Sequence, residues 1–172
     1  MWDVQTISVV IAAGSLVLAA VNSIWMSRQT QQTRKRELET RQAQLFMQIY
    51  DRFNDKEFQK QWAEIMYIFA WGDYDDWAKK YSPFENLDAF ASRISIGSYF
   101  EGIGVLVKRR LIDPTLVDDL LSSHLILYWE KYGPLLKEAR KRMNVPGIGE
   151  WQEYLYNQIK PIYEREHPEL KK

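Results

Sequence analysis

The chain has 172 residues, with 23 Lys and Arg balanced by 23 Asp and Glu, and no cysteine. That length holds one ordinary domain plus an extra segment, and a net charge of zero supplies no bulk field for nucleic acid or an acidic substrate. The absence of cysteine excludes a disulfide framework, a thiolate metal site and a cysteine nucleophile.

Residues 4–27 read VQTISVVIAAGSLVLAAVNSIWMS, 24 residues without a charge. As a helix this stretch is about 36 Å long and can cross a hydrocarbon core of about 30 Å. A cleaved leader would want a basic start and a small-x-small exit, whereas this chain starts Met-Trp-Asp and leaves through Ile24-Trp25-Met26-Ser27. Trp2 and Trp25 stand where indole rings prefer the membrane interface, and the first cations, Arg28, Arg34, Lys35, Arg36 and Arg41, all follow. The pattern predicts a single-pass anchor over 1–27 in the cell membrane, with the N-terminus outside and the rest cytoplasmic. Ser8, Ala12, Ser15, Ala19 and Asn22 recur in alternating steps of four and three. They form a small-residue stripe for association in the bilayer with a second copy or another membrane protein. An alternative reading turns Ser8, Ser15 and Asn22 toward the axis of an oligomeric pore.

Residues 28–44 form a basic stalk with almost no apolar face. Helix propensity favours a solvated helix over a flexible tether, and Arg34, Lys35 and Arg36 suit contact with anionic lipid at about 1 kcal/mol per cation. The same cluster also serves simply as a topology signal.

Residues 45–166 read as a helical domain and 167–172 as a polar tail. Leu45, Phe46, Ile49, Tyr50 and Phe53 resume an apolar face. Asn54 with Glu57 makes a capping box for a helix carrying Phe58, Trp62, Ile65, Met66 and Phe69, which Gly72 stops. A short helical turn lies in DYDDWAKKYSPF, where Asp73, Asp75 and Asp76 lack the glycine and distal glutamate of a calcium loop. Asn86 caps the next helix, read through Leu87, Phe90, Ala91, Ile94, Ser98, Val105 and Leu106 to Leu111. Its Gly102-x-Gly104 precedes Lys108-Arg109-Arg110, yet no strand leads into it and no Lys-Ser/Thr pair follows, so it is not a phosphate loop. Ala91, Ser95, Ser98 and Gly102 read instead as a small-residue stripe for close helix packing, since glycine inside a helix costs about 1 kcal/mol against alanine. Asp113 and Pro114 open another helix, whose apolar face includes Leu121, His124, Leu125 and Tyr128 and which Gly133-Pro134 kinks or breaks. A turn at VPGIGEW leads into a last helix bent at Pro161. The fold class is all-α: one transmembrane helix, then a cytoplasmic bundle of four to five helices.

Three polar residues fall on packed faces. Glu101 shares a face with Arg93, and its carboxylate reads either as a buried polar partner of another helix or as a catalytic acid. Arg93 is about 12 Å away along the axis, too far for contact unless both side chains lean together. His124 reads as a core histidine rather than a ligand or general base. No nucleophile, base and orienter assemble, so no catalytic residue, cofactor or metal is expected.

The run SYFEGIGVLVKRRLIDPTLVDDLL, followed by YWEKYGPLLKEAR, resembles an uncharacterised family of small membrane-anchored helical proteins of bacteria and archaea, classed as a domain of unknown function. The resemblance covers roughly residues 40–142 plus the anchor. It implies the architecture and carries no activity. The expected role is a non-enzymatic, membrane-tethered scaffold or regulatory module, with the pore and an enzyme acting on a lipid or small anion near Glu101 as alternatives.

Overall fold

The computed structural model describes the backbone of residues 3–170, and all side chains within that range except those of 4–14, 17 and 170. Among the described residues are six α-helices and no strand, so the class is all-α. The helices are α1 (Val4–Phe53), α2 (Lys56–Ala63), α3 (Tyr74–Tyr81), α4 (Leu87–Lys108), α5 (Pro114–Met143) and α6 (Glu150–Glu166). A π-helical turn, Glu64–Ile68, follows α2, and a 3-10 turn, Pro168–Leu170, follows α6. The chain forms two units, residues 1–41 and 42–172.

In the first unit every described side chain from Ser15 to Arg41 is exposed. Thr30, Thr33 and Thr40 donate to the carbonyls four residues back at 2.9, 3.0 and 2.8 Å, the usual local bond of a hydroxyl on a solvated helix. Among the described residues no helix is long and apolar enough to cross a membrane, so the span expected over 4–27 is not found there. Half of that stretch, 4–14 and 17, has side chains outside the described set. Trp2 lies outside the described residues altogether, and the side chains of Ser8 and Ala12 also fall outside them.

The second unit is a helical bundle. Helix α6 packs along both α4 and α5, α2 and the π-turn lie on α4, and α3 bridges α4 and α5. The core phase of α5 runs Val117, Leu121, Leu125, Tyr128, Tyr132 and Leu135, all buried at helical spacing. Helix α4 answers with Ile96, Phe100, Ile103 and Val107, and α6 with Leu155 and Ile159. From α1, Phe46 and Phe53 enter the same core, and Tyr99 donates to the Ile49 carbonyl at 3.2 Å.

Caps set most of the boundaries. Asn86 accepts from the Ala89 amide at 3.0 Å, and Asp113 from the Thr115 amide at 2.9 Å with Pro114 at the first helical position. The cap of α2 is Asp55 rather than the expected Asn54: its carboxylate accepts from the Phe58 amide at 3.0 Å. Both residues are good caps, and the phase that buries Phe58 and Trp62 selects the second. Helix α4 ends at Lys108 rather than Leu111, because Arg110 turns left-handed at φ 57° and the Leu111 amide returns to the Leu106 carbonyl at 2.9 Å. That closure uses the backbone of two members of the Lys-Arg-Arg run, and the third, Lys108, lies 5.0 Å over the Tyr154 ring.

Two expected breaks are absent. Helix α5 runs through Gly133-Pro134 without interruption. Pro134 and Glu130 are both exposed, so water can take the bond that the proline cannot make to the Glu130 carbonyl. Gly72 does not stop the helix after α2, which instead widens into the π-turn, its Phe69 amide reaching the Glu64 carbonyl at 3.0 Å, and ends at Ile68.

Candidate functional site

The face of α4 turned to α6 carries Gly97, Glu101 and Gly104, one helical stripe. A Cβ on Gly104 would lie 2.1 Å from the Trp151 carbonyl oxygen, so the two backbones meet there with no room for a side chain. The expected stripe of Ala91, Ser95, Ser98 and Gly102 is not this face. Ala91, Ser98 and Gly102 are exposed, Ser95 is half-buried, and nothing lies within 4 Å of a Cβ on Gly102. The large residues decide the phase: Ile96, Phe100, Ile103 and Val107 turn inward and bring Gly104 with them.

Glu101 is half-buried and its carboxylate accepts from the amides of Trp151 at 3.3 Å and Gln152 at 3.0 Å. Helix α6 starts from Gly149, in a left-handed conformation at φ 66° and with no side chain to cap the first turn. Glu101 therefore supplies from α4 the N-cap that α6 lacks, its negative charge on the positive end of the dipole. Its partners in the structure are the backbone amides of α6.

At the opposite polarity, the Lys131 ammonium donates to the carbonyls of Met66 and Phe69, both at 2.7 Å. These lie at the C-terminal end of the π-turn, where a cation suits the dipole. Tyr132 donates beside it to the Ile65 carbonyl at 3.0 Å. Nothing in the sequence marks Lys131 for this, since donor and acceptors lie more than 60 residues apart.

Arg93 sits between α3, α4 and α5. Its guanidinium lies 5.6 Å over the Trp77 ring and 5.0 Å over that of Phe90, and its Nε is buried without a hydrogen-bond partner. The same charge opposes the burial that pushes the Tyr128 hydroxyl up to about 12. Arg93 lines a cavity of about 370 Å³ whose other walls include Tyr74, Trp77, Phe90, Leu135, Ala139 and Met143. Of the lining side chains, Arg93 alone is charged.

His124 lies among aromatic rings, 4.7 Å from Phe53 and 5.3 Å from Trp62, with its Nδ1 buried and unpartnered. Burial holds the imidazole below its ordinary value of 6.5. The unfolded chain therefore binds a proton the fold refuses, and this contribution to stability is present above pH 6.5 and lost as pH falls below it. In thermal unfolding followed across that range, His124→Leu is expected to flatten the acid side of the profile, and an unchanged profile would reject the assignment.

Asp118, buried near the start of α5, shows the opposite sign. Burial, then the neighbouring Glu166, raise its carboxyl above the ordinary 3.8, and its Oδ1 has no partner. Its stabilising contribution is full below pH 3.8 and is lost as pH rises through the raised value. Asp118→Asn should accordingly raise the melting temperature at neutral pH and leave it little changed in acid.

The exposed Arg34, Lys35 and Arg36 lie on the first unit, where Lys35 is 3.8 Å from Glu39. Ser15, Ala19 and Asn22 are exposed on the same helix. Among the described residues no three metal-ligating side chains converge.

An uncharged N-terminal stretch, the helix that continues from it, and a helical bundle in which the start of α6 and the end of the π-turn are capped from neighbouring helices define a small all-α protein. The chain belongs to the family described as Domain of unknown function (DUF4760), which matches residues 5–159. No curated protein and no solved structure matches it.

Proposed function

We propose that this protein is a membrane-tethered helical module, held by residues 4–27 with its N-terminus outside, that scaffolds or regulates a partner at the cytoplasmic face. One observation carries the reading. Leu16, Leu18, Val21, Ile24, Trp25 and Met26 are each more than half exposed, and at 100° per residue they point to all sides of α1. A helix apolar all round takes a bilayer or a surrounding bundle as its solvent. The charge-free sequence from residue 4 and the cations that begin at Arg28 fit the bilayer with this orientation. The non-enzymatic part of the reading draws support from Glu101, whose two carboxylate oxygens are both occupied by α6 amides.

The test is fractionation of the full chain from its host. It should remain in the membrane pellet through alkaline carbonate, leave it only with detergent, and expose its C-terminal domain to protease only in inside-out vesicles. Native mass spectrometry after mild extraction should then find partner chains or further copies. Release by carbonate would reject the anchor, and a lone monomer under every mild extraction would reject the scaffold.

A further inference from the structure

We propose that the cavity between α3, α4 and α5 binds a single-chain carboxylate amphiphile, of the fatty-acid class, with its head on Arg93. This goes beyond the tethering role and does not depend on it, since every lining residue falls between Tyr74 and Ile148.

The argument starts from the charge. Among the described residues no carboxylate pairs with Arg93, although its Nε is buried and its neighbours Trp77 and Phe90 are aromatic. The two rings and the neutral Tyr128 hydroxyl are the neighbours of this guanidinium, and none of them cancels its charge, which leaves the buried Nε donor for an anionic acceptor. A buried donor without an acceptor costs free energy, and an incoming carboxylate would remove that cost through a charge-assisted bond.

The walls set the rest of the ligand. A cavity of about 370 Å³ is within the range of small-molecule sites, and such sites combine a mostly apolar lining with a few polar groups that fix orientation. One cation and an apolar lining match one anionic group on an apolar body. A phosphate monoester would bring a second negative charge with no cation to meet it. At the mouth, Phe84 is 95% exposed and Met143 60% exposed, large apolar side chains that an acyl chain would cover.

The experiment uses the full chain in lipid nanodiscs and lauric acid carrying a photoreactive group on its chain, with crosslinks mapped by mass spectrometry. Labelling is expected on α3, α4 and α5 around Trp77, Phe90 and Leu135. Unlabelled lauric acid should compete, and lauryl alcohol should compete about tenfold less well, the loss of one charge-assisted contact. Arg93→Met should abolish the labelling and Arg93→Lys should retain part of it. Should Arg93→Met fail to fold, Ile94→Trp fills the cavity from a wall position that is 41% exposed, and it too should abolish labelling with Arg93 intact. Labelling confined to α1, equal competition by the alcohol, or labelling that survives Ile94→Trp would each overturn the proposal.

Discussion

Gly104→Ala is expected to destabilise the bundle by about 2 kcal/mol or more, within the range for overpacking a close contact. The added Cβ would stand 2.1 Å from the Trp151 carbonyl oxygen and 2.8 Å from its carbon. Those are backbone atoms of the first turn of α6, so relief requires the whole helix end to move, not one rotamer. Moving it also draws the Trp151 and Gln152 amides away from Glu101, and the two losses add. In a chain of this length the change corresponds to a melting temperature lower by about 4–8 °C. Gly102→Ala, two residues away in the same helix, provides the control. Its Cβ meets nothing within 4 Å, so relief of glycine's backbone entropy should raise stability by about 0.5–1 kcal/mol. Equal effects of the two substitutions in thermal unfolding of the full chain would contradict the placement of α6 on α4.

The same pair of glycines shows what the sequence carries and what it withholds. A Gly-x-Gly inside a helical pattern announces close packing, but the two glycines point about 200° apart and only one can face a neighbour. Choosing Gly102 follows from joining it to Ala91, Ser95 and Ser98, a stripe of small residues. Small residues are weak evidence of phase, because they are tolerated on exposed faces as well. The large residues hold the stronger signal: Ile96, Phe100, Ile103 and Val107 recur in steps of four, three and four, and their burial fixes the register. Reading the helix through Leu87, Phe90, Ala91, Ile94, Ser98, Val105 and Leu106 omits that set: Phe90 and Leu106 pack only at the margin of the core, and Ile94 is 41% exposed.

Caps were legible where they are local, as at Asn86 and at Asp113-Pro114, because acceptor and donor lie within three residues. They were ambiguous where two adequate caps adjoin, at Asn54 and Asp55. They were invisible where the cap comes from another helix, as with Lys131 on the π-turn, since only the tertiary fold brings such groups together. The Arg93 cavity was illegible for a related reason. Its walls come from three helices and the connections beside them, and the sequence places Arg93 on a face with Glu101 without saying that Trp77 covers it.

Glu101→Ala should cost about 2 kcal/mol, the magnitude of hydrogen bonds to a charged acceptor together with a lost helix cap. Gly149 offers α6 no side chain, so truncation at Glu101 leaves the amides of Trp151 and Gln152 without their acceptor. Glu101→Gln keeps one carbonyl oxygen and loses the negative charge on the helix dipole, and should fall between wild type and alanine, near 1 kcal/mol by the smaller worth of a neutral acceptor. Hydrogen exchange separates this role from a general loosening of the core. In Glu101→Ala the amides of Trp151 and Gln152 should exchange faster by more than the global loss accounts for, while those around Phe100 and Leu125 follow global stability alone. Uniform acceleration across α4, α5 and α6 would mean that Glu101 acts through packing and not as the cap of α6. A catalytic role makes a different demand on the same variants, because an acid must release its carboxylate from those amides to reach a substrate. Every gain in reach would then lower the order of α6, so activity and α6 protection would trade against each other between Glu101 and its glutamine variant. A stabilising cap predicts no such trade: α6 protection and global stability fall together from glutamate through glutamine to alanine.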